Sequence, residues 1–305
     1  TFDRIPEIRK RKIHGIRPWA HTPDAESLIQ KMGVDAAPVS RDLFSKASHA
    51  DFLKKLIEGH SCSFLCKPDC VGIQVSSVEE IESWVANSSY PFCILKAPFS
   101  TAGRERVICN TSDELFRKSW SAIRRLLCHH GSLVIEPWLE RVKDFSMHYD
   151  MTKEGLVRRG IAIMENSRRG QFRRATVTNR FTDGLEKDLR RALFAGASSR
   201  GHLVDFQEAM LEPHLSNLLE EHHFTGPIGV DSFFYRDEEG SLRWKPVVEM
   251  NPRFTMGRVA LELARFSRSR EAVSLTVARA GKGPAGGICL TPVTPDTKWV
   301  AFLER

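Results

Sequence analysis

Residues 227–253, PIGVDSFFYRDEEGSLRWKPVVEMNPR, hold two apolar runs on either side of an acidic, glycine-containing turn at 238–240. Each run carries one central carboxylate, Asp231 in the first and Glu249 in the second. Such a segment reads as a β-hairpin. Alternate side chains of a strand share a face, so Glu249 and Asn251 point one way while Val248 and Met250 enter the opposite layer. Val230 and Ser232 flank Asp231 in the same manner. Strands paired around the turn would bring three oxygen-bearing side chains to one patch. A carboxylate between apolar neighbours is expensive to place without a partner. Few carboxylates, completed by water and phosphate oxygens, are what Mg²⁺ prefers. The competing reading is three solvated polar residues on an exposed sheet face. The cost of burial favours the metal.

A second segment supplies the complementary charge. CILKAPFSTAGRERV places Lys96 at the end of an apolar strand, followed by the small-residue loop Ser100, Thr101, Ala102, Gly103. Backbone N–H groups of such a loop can approach phosphate oxygens, and a lysine adds a point charge. Many strand ends carry a lysine, so this signal gains weight only beside the hairpin.

The strand and helix signals alternate from about residue 61. SFLCKP and GIQVS are short apolar runs, and Ser77 with Glu80 forms a capping box opening a helix whose apolar stripe is Ile81, Trp84 and Val85. PFCILKAP is a strand. Thr111 and Glu114 form a second capping box before a helix with Phe116, Trp120, Ile123 and Leu127 on one face, stopped by Gly131. SLVIEPWL follows as a buried strand. FSMHYDMT and LVRRGIAIME pair around a turn at 153–155, and the polar stretch NSRRGQFRR then breaks the pattern. Residues 185–223 read as mostly helical, interrupted at Gly196 and Gly201. A helix starts near Gly257, and the Gly/Pro-rich residues after 280 lead into a final strand. This rhythm predicts helices layered on sheets.

Composition narrows the classes. A chain of 305 residues with 41% hydrophobic and 27% charged residues can bury a core, and no apolar run approaches bilayer length. The net charge of +7 suits an enzyme that gathers anionic substrates; no nucleic-acid-binding signature accompanies it. The basic first residues lack the apolar stretch of a signal peptide. The chain starts at Thr1 without methionine, as a trimmed or partial chain does. An odd count of 7 cysteines without a secretory segment predicts reduced thiols and a cytoplasmic location. Cys62, Cys66 and Cys70 recur every fourth residue after His60, but Pro68 keeps them off one helical face; they read as structural thiols.

From about residue 40 to 262 the chain resembles the ATP-grasp superfamily of the carboxylate–amine ligase type, including orphan, peptide-ligase-like members. RDLFSKASHADFL resembles the helix with the first nucleotide lysine, Lys46. ILKAPFSTAGR resembles the strand and mobile loop with the second, Lys96. LVIEPWLERVKDFS is similar to the hinge strand. IGVDSFFY and PVVEMNPRFTMG, the most specific pieces, resemble the strands that ligate Mg²⁺.

The resemblance implies an α+β fold in which two α+β subdomains sandwich ATP. The expected division is a short N-terminal region (1–39), a first subdomain (40–135), a second subdomain with the metal site (136–264) and a C-terminal extension (265–305). It implies ATP and Mg²⁺ (or Mn²⁺) as cofactors, with Asp231, Glu249 and Asn251 as metal ligands. Lys46, Lys96, Ser100, Thr101 and Gly103 would hold phosphates, Glu136 the adenine amino group, the backbone near Trp138 and Leu139 the ring edge, and Asp144 the ribose. Arg253 and Lys96 would act on the transferred phosphate. Glu105 stands where the family places a loop glycine. Arg173, Arg174 and Arg180 compete for the third cationic position.

The implied activity is an ATP- and Mg²⁺-dependent ligase forming an amide or peptide bond through an acyl phosphate; the alternatives are a small-molecule kinase or a nucleotide-binding protein without turnover. Small-molecule carboxylate and amine substrates, an amino acid or peptide, are the expected partners, with no nucleic acid and no membrane. A homodimer is the default assembly. Arg168, Arg169, Arg173 and Arg174 read as either a lid or a solvated loop. His148 reads as a packed residue, Trp138 as packing beside adenine or in the hinge core, and the pairs His129–His130 and His222–His223 as favourable charges near helix ends.

Overall fold

The computed structural model describes residues 18–19, 23–33, 39–60, 62–100, 105–112, 116–167, 171–267 and 271–305. Thr101, Ala102, Gly103, Glu114, Arg168 and Arg169 lie outside the described residues. Among the described residues, no helix is long and apolar enough to cross a membrane.

Two antiparallel sheets carry the molecule. The smaller contains β1 (Ile73–Val75), β2 (Phe92–Lys96), β3 (Arg106–Asn110) and β4 (Leu133–Pro137) in the order β1-β4-β2-β3. Helices α1 (Pro23–Lys31) and α2 (Lys46–Glu58) precede it, while α3 (Val78–Asn87) and α4 (Trp120–His130) cover one of its faces. The predicted stripes explain that packing: Ile81 and Val85 of α3 and Ile123 of α4 meet Val75, Cys93, Leu95, Leu133 and Ile135 of the sheet. Ser77 caps α3 by accepting from Glu80 N, and Gly131 ends α4 at φ 72, where a left-handed turn suits glycine. SFLCKP forms no strand of this sheet. Leu65 makes one isolated bridge to Trp244 and Pro68–Cys70 is a 3-10 turn, because proline cannot donate to a ladder.

The larger sheet is built from β5 (Glu140–Thr152), β6 (Gly155–Asn166), β7 (Phe172–Val177), β8 (Gly226–Arg236), β9 (Leu242–Asn251), β10 (Val273–Arg279), β11 (Ile288–Cys289) and β12 (Trp299–Glu304). Their order is β11-β12-β10-β7-β6-β5-β8-β9. Helices α5 (Lys187–Phe194), α6 (His202–Phe206), a π-helical turn at Gln207–Leu211 and α7 (Glu212–Glu221) cover one face. α8 (Met256–Ser267) packs on the other, where Ala162, Ala175 and Ala260 let helix and sheet approach closely. Gly257 of α8 has no room for a side chain, since a Cβ there would stand 2.6 Å from His148 Nε2.

Three further features differ from the sequence expectation. The polar stretch after Asn166 becomes β7 from Phe172 onward, because Arg174 finds partners in Thr276 and Glu304 across the sheet. Residues 265–305, expected as an extension, supply β10, β11 and β12 to the same sheet. Leu43, Phe52, Leu53, Leu56, Phe64 and Leu65 join the core of the larger sheet, so part of the 40–135 segment packs with 136–264.

Candidate active site

The β8–β9 hairpin forms as its residues require. Asp237 N donates to Ser241 O at 3.0 Å and its Oδ1 accepts from Ser241 N at 2.8 Å, closing the turn. Asp231 stands directly opposite Glu249, and Gly229 opposite Asn251. Between Asp231 and Phe233 the register slips against the segment ending at Lys245. Pro246, which has no N–H to donate, sits in that bulge. The slip resets the alternation, so Val248, expected in the opposite layer, lines the cleft between the sheets instead. Met250 is buried as expected.

That cleft, about 710 Å³, brings together most of the residues singled out in the sequence. Lys46, Lys96 and Ser100 stand on one side; Asp144, Asp231, Glu249, Asn251 and Arg253 on the other; Trp138 lies where the sheets meet. Trp138 and Leu139 join β4 to β5, and Trp138 N donates to Phe92 O at 2.9 Å. Leu139 is buried in the core and is not among the lining residues, and Glu136 lies beneath them. Ile94, Met164, Phe172, Phe233 and Val248 make an apolar wall. Arg173, Arg174 and Arg180 are not among the lining residues, and Arg174 is committed to Glu304.

The electrostatics are unequal along the cleft. Asp231 has its carboxyl pushed up to about 6, by burial first and by the Glu249 charge second, against the pull of Ser146 and Arg253. Asn251 Nδ2 donates to Asp231 Oδ2 at 2.9 Å, and Arg253 Nη2 donates to Asn251 Oδ1 at 2.9 Å. Two carboxylates facing each other at a cleft wall, one of them resisting ionisation, are an unfavourable arrangement for the protein alone. A divalent cation would reverse it. The donor set is all oxygen if the amide of Asn251 contributes its carbonyl, which fits Mg²⁺ or Mn²⁺.

On the facing side, Lys46 is the first residue of α2, whose N-cap Ser45 accepts from Ser48 N. A cation at a helix N-terminus opposes the helix dipole, and this one is buried. Its ammonium donates to Ser100 O and, at 3.1 Å, to Glu249 Oε1. Lys96 donates to Glu136 Oε1 at 2.6 Å, and burial holds its pKa below the usual lysine range. Asp144 accepts from Arg141 Nη1 and Asn166 Nδ2, each at 3.3 Å, and stays partly exposed on the cleft wall.

Three groups were not found from the sequence. Lys245 is 1% exposed and donates to Cys70 O at 2.7 Å and to Glu136 Oε2 at 3.0 Å. Burial raises the Glu136 carboxyl, but Lys245 and Lys96 outweigh it and hold the pKa at about 2. A lysine between Trp244 and Pro246 in an apolar strand was the available signal. His49 is the second. Met250 N donates to its Nδ1 at 3.2 Å, its Nε2 lies 3.0 Å from Leu43 O, and burial lowers its pKa to about 4. Neutral His49 therefore braces the strand between Glu249 and Asn251. Third, Arg106 and Arg141 flank the Trp138 ring at 5.8 and 5.4 Å, and Arg141 also lies 4.3 Å over Phe233.

His148, Cys62, Cys66 and Cys70 are not among the residues lining the cleft. His148 is packed, as expected, with burial and then Arg258 lowering its pKa to about 3. Among the described residues, Cys62, Cys66 and Cys70 with His60 form no metal-ligand cluster. Burial pushes the Cys66 thiol up to about 12, which makes it inert.

No family model matches the sequence, and no curated protein matches it. Solved structures do. The biotin carboxylase domain of Hydrogenobacter thermophilus 2-oxoglutarate carboxylase, solved with MgADP and bicarbonate, superposes with a TM-score of 0.59 at 16% identity, over 99% of this chain and 71% of that one. The biotin carboxylase–βγ-ATP complex from Campylobacter jejuni gives 0.60 at 12% identity, over 95% and 69%. N5-carboxyaminoimidazole synthetase from Staphylococcus aureus, complexed with ADP, gives 0.54 at 13% identity, over 86% and 67%. The chain has the ATP-grasp fold. The cleft described above is lined by residues of both sheets.

Proposed function

We propose that this chain is an ATP- and Mg²⁺-dependent ligase that joins a carboxylate to an amine. The observation that carries the proposal is the meeting of Asp231, Glu249 and Asn251 with Lys46, Lys96 and Arg253 in one cleft of the ATP-grasp fold. An oxygen-rich wall opposite several cations is what a polyphosphate with its metal requires. The segments 40–135 and 136–264 act as the two halves of the clamp, joined through the β4–β5 connection at Trp138 and Leu139.

Mg²⁺ held by Asp231, Glu249 and Asn251 would supply charge neutralisation at the phosphates. The adenine would lie against the apolar wall near Trp138, with the ribose toward Asp144. A substrate carboxylate oxygen attacks the γ-phosphorus as the bond to the β-phosphate oxygen breaks, giving an acyl phosphate and ADP. The amine then attacks the acyl carbon, and inorganic phosphate leaves. Lys46, Lys96 and Arg253 offset charge spreading over the transferred group, so the protein positions and neutralises without supplying a nucleophile. The amide or peptide nature of the product, and an amino acid or peptide as substrate, belong to the same proposal.

Release of ADP and phosphate from Mg-ATP, measured over a panel of amino acids and dipeptides offered singly and in pairs, tests it. Turnover that requires both an acid and an amine supports the ligase. ADP release with one substrate and no free phosphate would make the protein a kinase instead. No turnover, with ATP still bound, would make it a nucleotide-binding protein.

A further inference from the structure

A second group of metal-ligating side chains lies outside the cleft. His129 and His130 are the last two residues of α4, and Gly131 caps the helix. The terminal carbonyls of a helix lack intrahelical donors and give that end negative character, which favours a cation. Glu105 faces this end from the residue before β3. It holds φ 50, a left-handed conformation that a non-glycine residue adopts at an energetic cost. The three side chains each offer a ligand atom, and all of these atoms lie within 4.8 Å of one another.

One imidazole nitrogen of this group is in an unusual state. His130 Nε2 is shielded from solvent and has no hydrogen-bond partner among the described residues, although Glu105 Oε1 is 3.5 Å away. Buried polar nitrogens are normally satisfied. The His129 and His130 rings stand edge to face with centroids 4.6 Å apart, which holds the two imidazoles side by side at the helix end. A cation between Glu105 and the two imidazoles would satisfy His130 and use the strained placement of Glu105.

We propose that Glu105, His129 and His130 form a binding site for a divalent transition ion of the Zn²⁺ or Co²⁺ type. Two imidazole nitrogens and one carboxylate oxygen suit such an ion, whereas Mg²⁺ demands an oxygen octahedron. Three protein ligands leave a coordination position for water. The ion would also tie the end of α4 to the backbone after Lys96, because Ala97 N donates to Glu105 O at 3.0 Å. The site is distinct from the oxygen-rich wall at Asp231, and its existence does not depend on the nucleotide reading.

The experiment is titration of the metal-stripped full chain with Co²⁺, followed by visible absorption, and with Zn²⁺, followed by calorimetry. Both are done without nucleotide and with excess Mg²⁺ to occupy hard-oxygen sites. Wild type, Glu249→Ala and Cys128→Ser should each bind one ion at this site, with the intense visible bands of low-coordinate Co²⁺. His130→Ala and Glu105→Gln should lose at least about tenfold in affinity, since even outer partners of a metal site carry that much. Circular dichroism establishes that both variants are folded. Absence of Co²⁺ bands in wild type, or wild-type affinity in folded His130→Ala, overturns the site and leaves a plain His130–Glu105 contact.

Discussion

Lys46 Nζ lies 3.1 Å from Glu249 Oε1, so the lysine assigned to phosphate is paired with the carboxylate assigned to metal. The ammonium occupies the place of positive charge at that wall, and phosphate with its cation would compete for both partners. Lys46→Met is therefore expected to weaken ATP binding by roughly 10- to 100-fold, the equivalent of about 1.5–3 kcal/mol for a charged hydrogen bond. Calorimetric titration with Mg-ATP measures it. An unchanged affinity with a lowered melting temperature would reduce Lys46 to a structural counter-ion.

Asp231 gives a pH-dependent prediction. Its folded carboxyl titrates near 6, against 3.8 for the free side chain. Below the lower value both states are protonated and the group contributes nothing. As pH rises the unfolded chain loses its proton first, so ionisation penalises the fold, fully so above 6. Asp231→Asn should match wild-type stability near pH 4 and exceed it by roughly 1–3 kcal/mol near pH 8, without metal. Urea denaturation at both values tests this; equal stability near pH 8 would mean the facing carboxylates are not in conflict.

Lys245 and Lys96 share the carboxylate of Glu136 from opposite oxygens, at 3.0 and 2.6 Å. Removing one partner of a buried pair costs about 3–5 kcal/mol, because the other charges remain desolvated. Lys245→Met is expected to lose stability on that scale, and adding Glu136→Gln should restore part of it. Denaturation curves of the single and double variants decide the matter. A double variant no more stable than Lys245→Met would show that Lys245 acts through its bond to Cys70 O alone.

The legible parts of this molecule are those whose signals are local. The hairpin at 226–251 announces itself through two apolar runs and one turn, and Asp231 and Glu249 need only that turn to become neighbours. The caps at Ser77 and Gly131 depend on residues within one helical turn. What escaped depends on distant partners. Lys245 is explained only by Glu136, and His49 only by the N–H of Met250. The cleft-facing position of Val248 comes from a register slip at Pro246 that strict alternation cannot foresee. β7 begins inside an arginine-rich stretch because Arg174 meets Glu304, a residue near the far end of the chain.

The central claim is that the wall at Asp231, Glu249 and Asn251 holds a metal for a nucleotide. Its most direct measurement is the thermal stability of wild type and Glu249→Ala with ATP, each with and without Mg²⁺. A ligand at about 100 times its dissociation constant stabilises the folded state by about 2.7 kcal/mol. Wild type should gain on that scale only when both ATP and Mg²⁺ are present, and Glu249→Ala should lose that gain. Equal stabilisation of Glu249→Ala by Mg-ATP, or no stabilisation of wild type, would contradict the account.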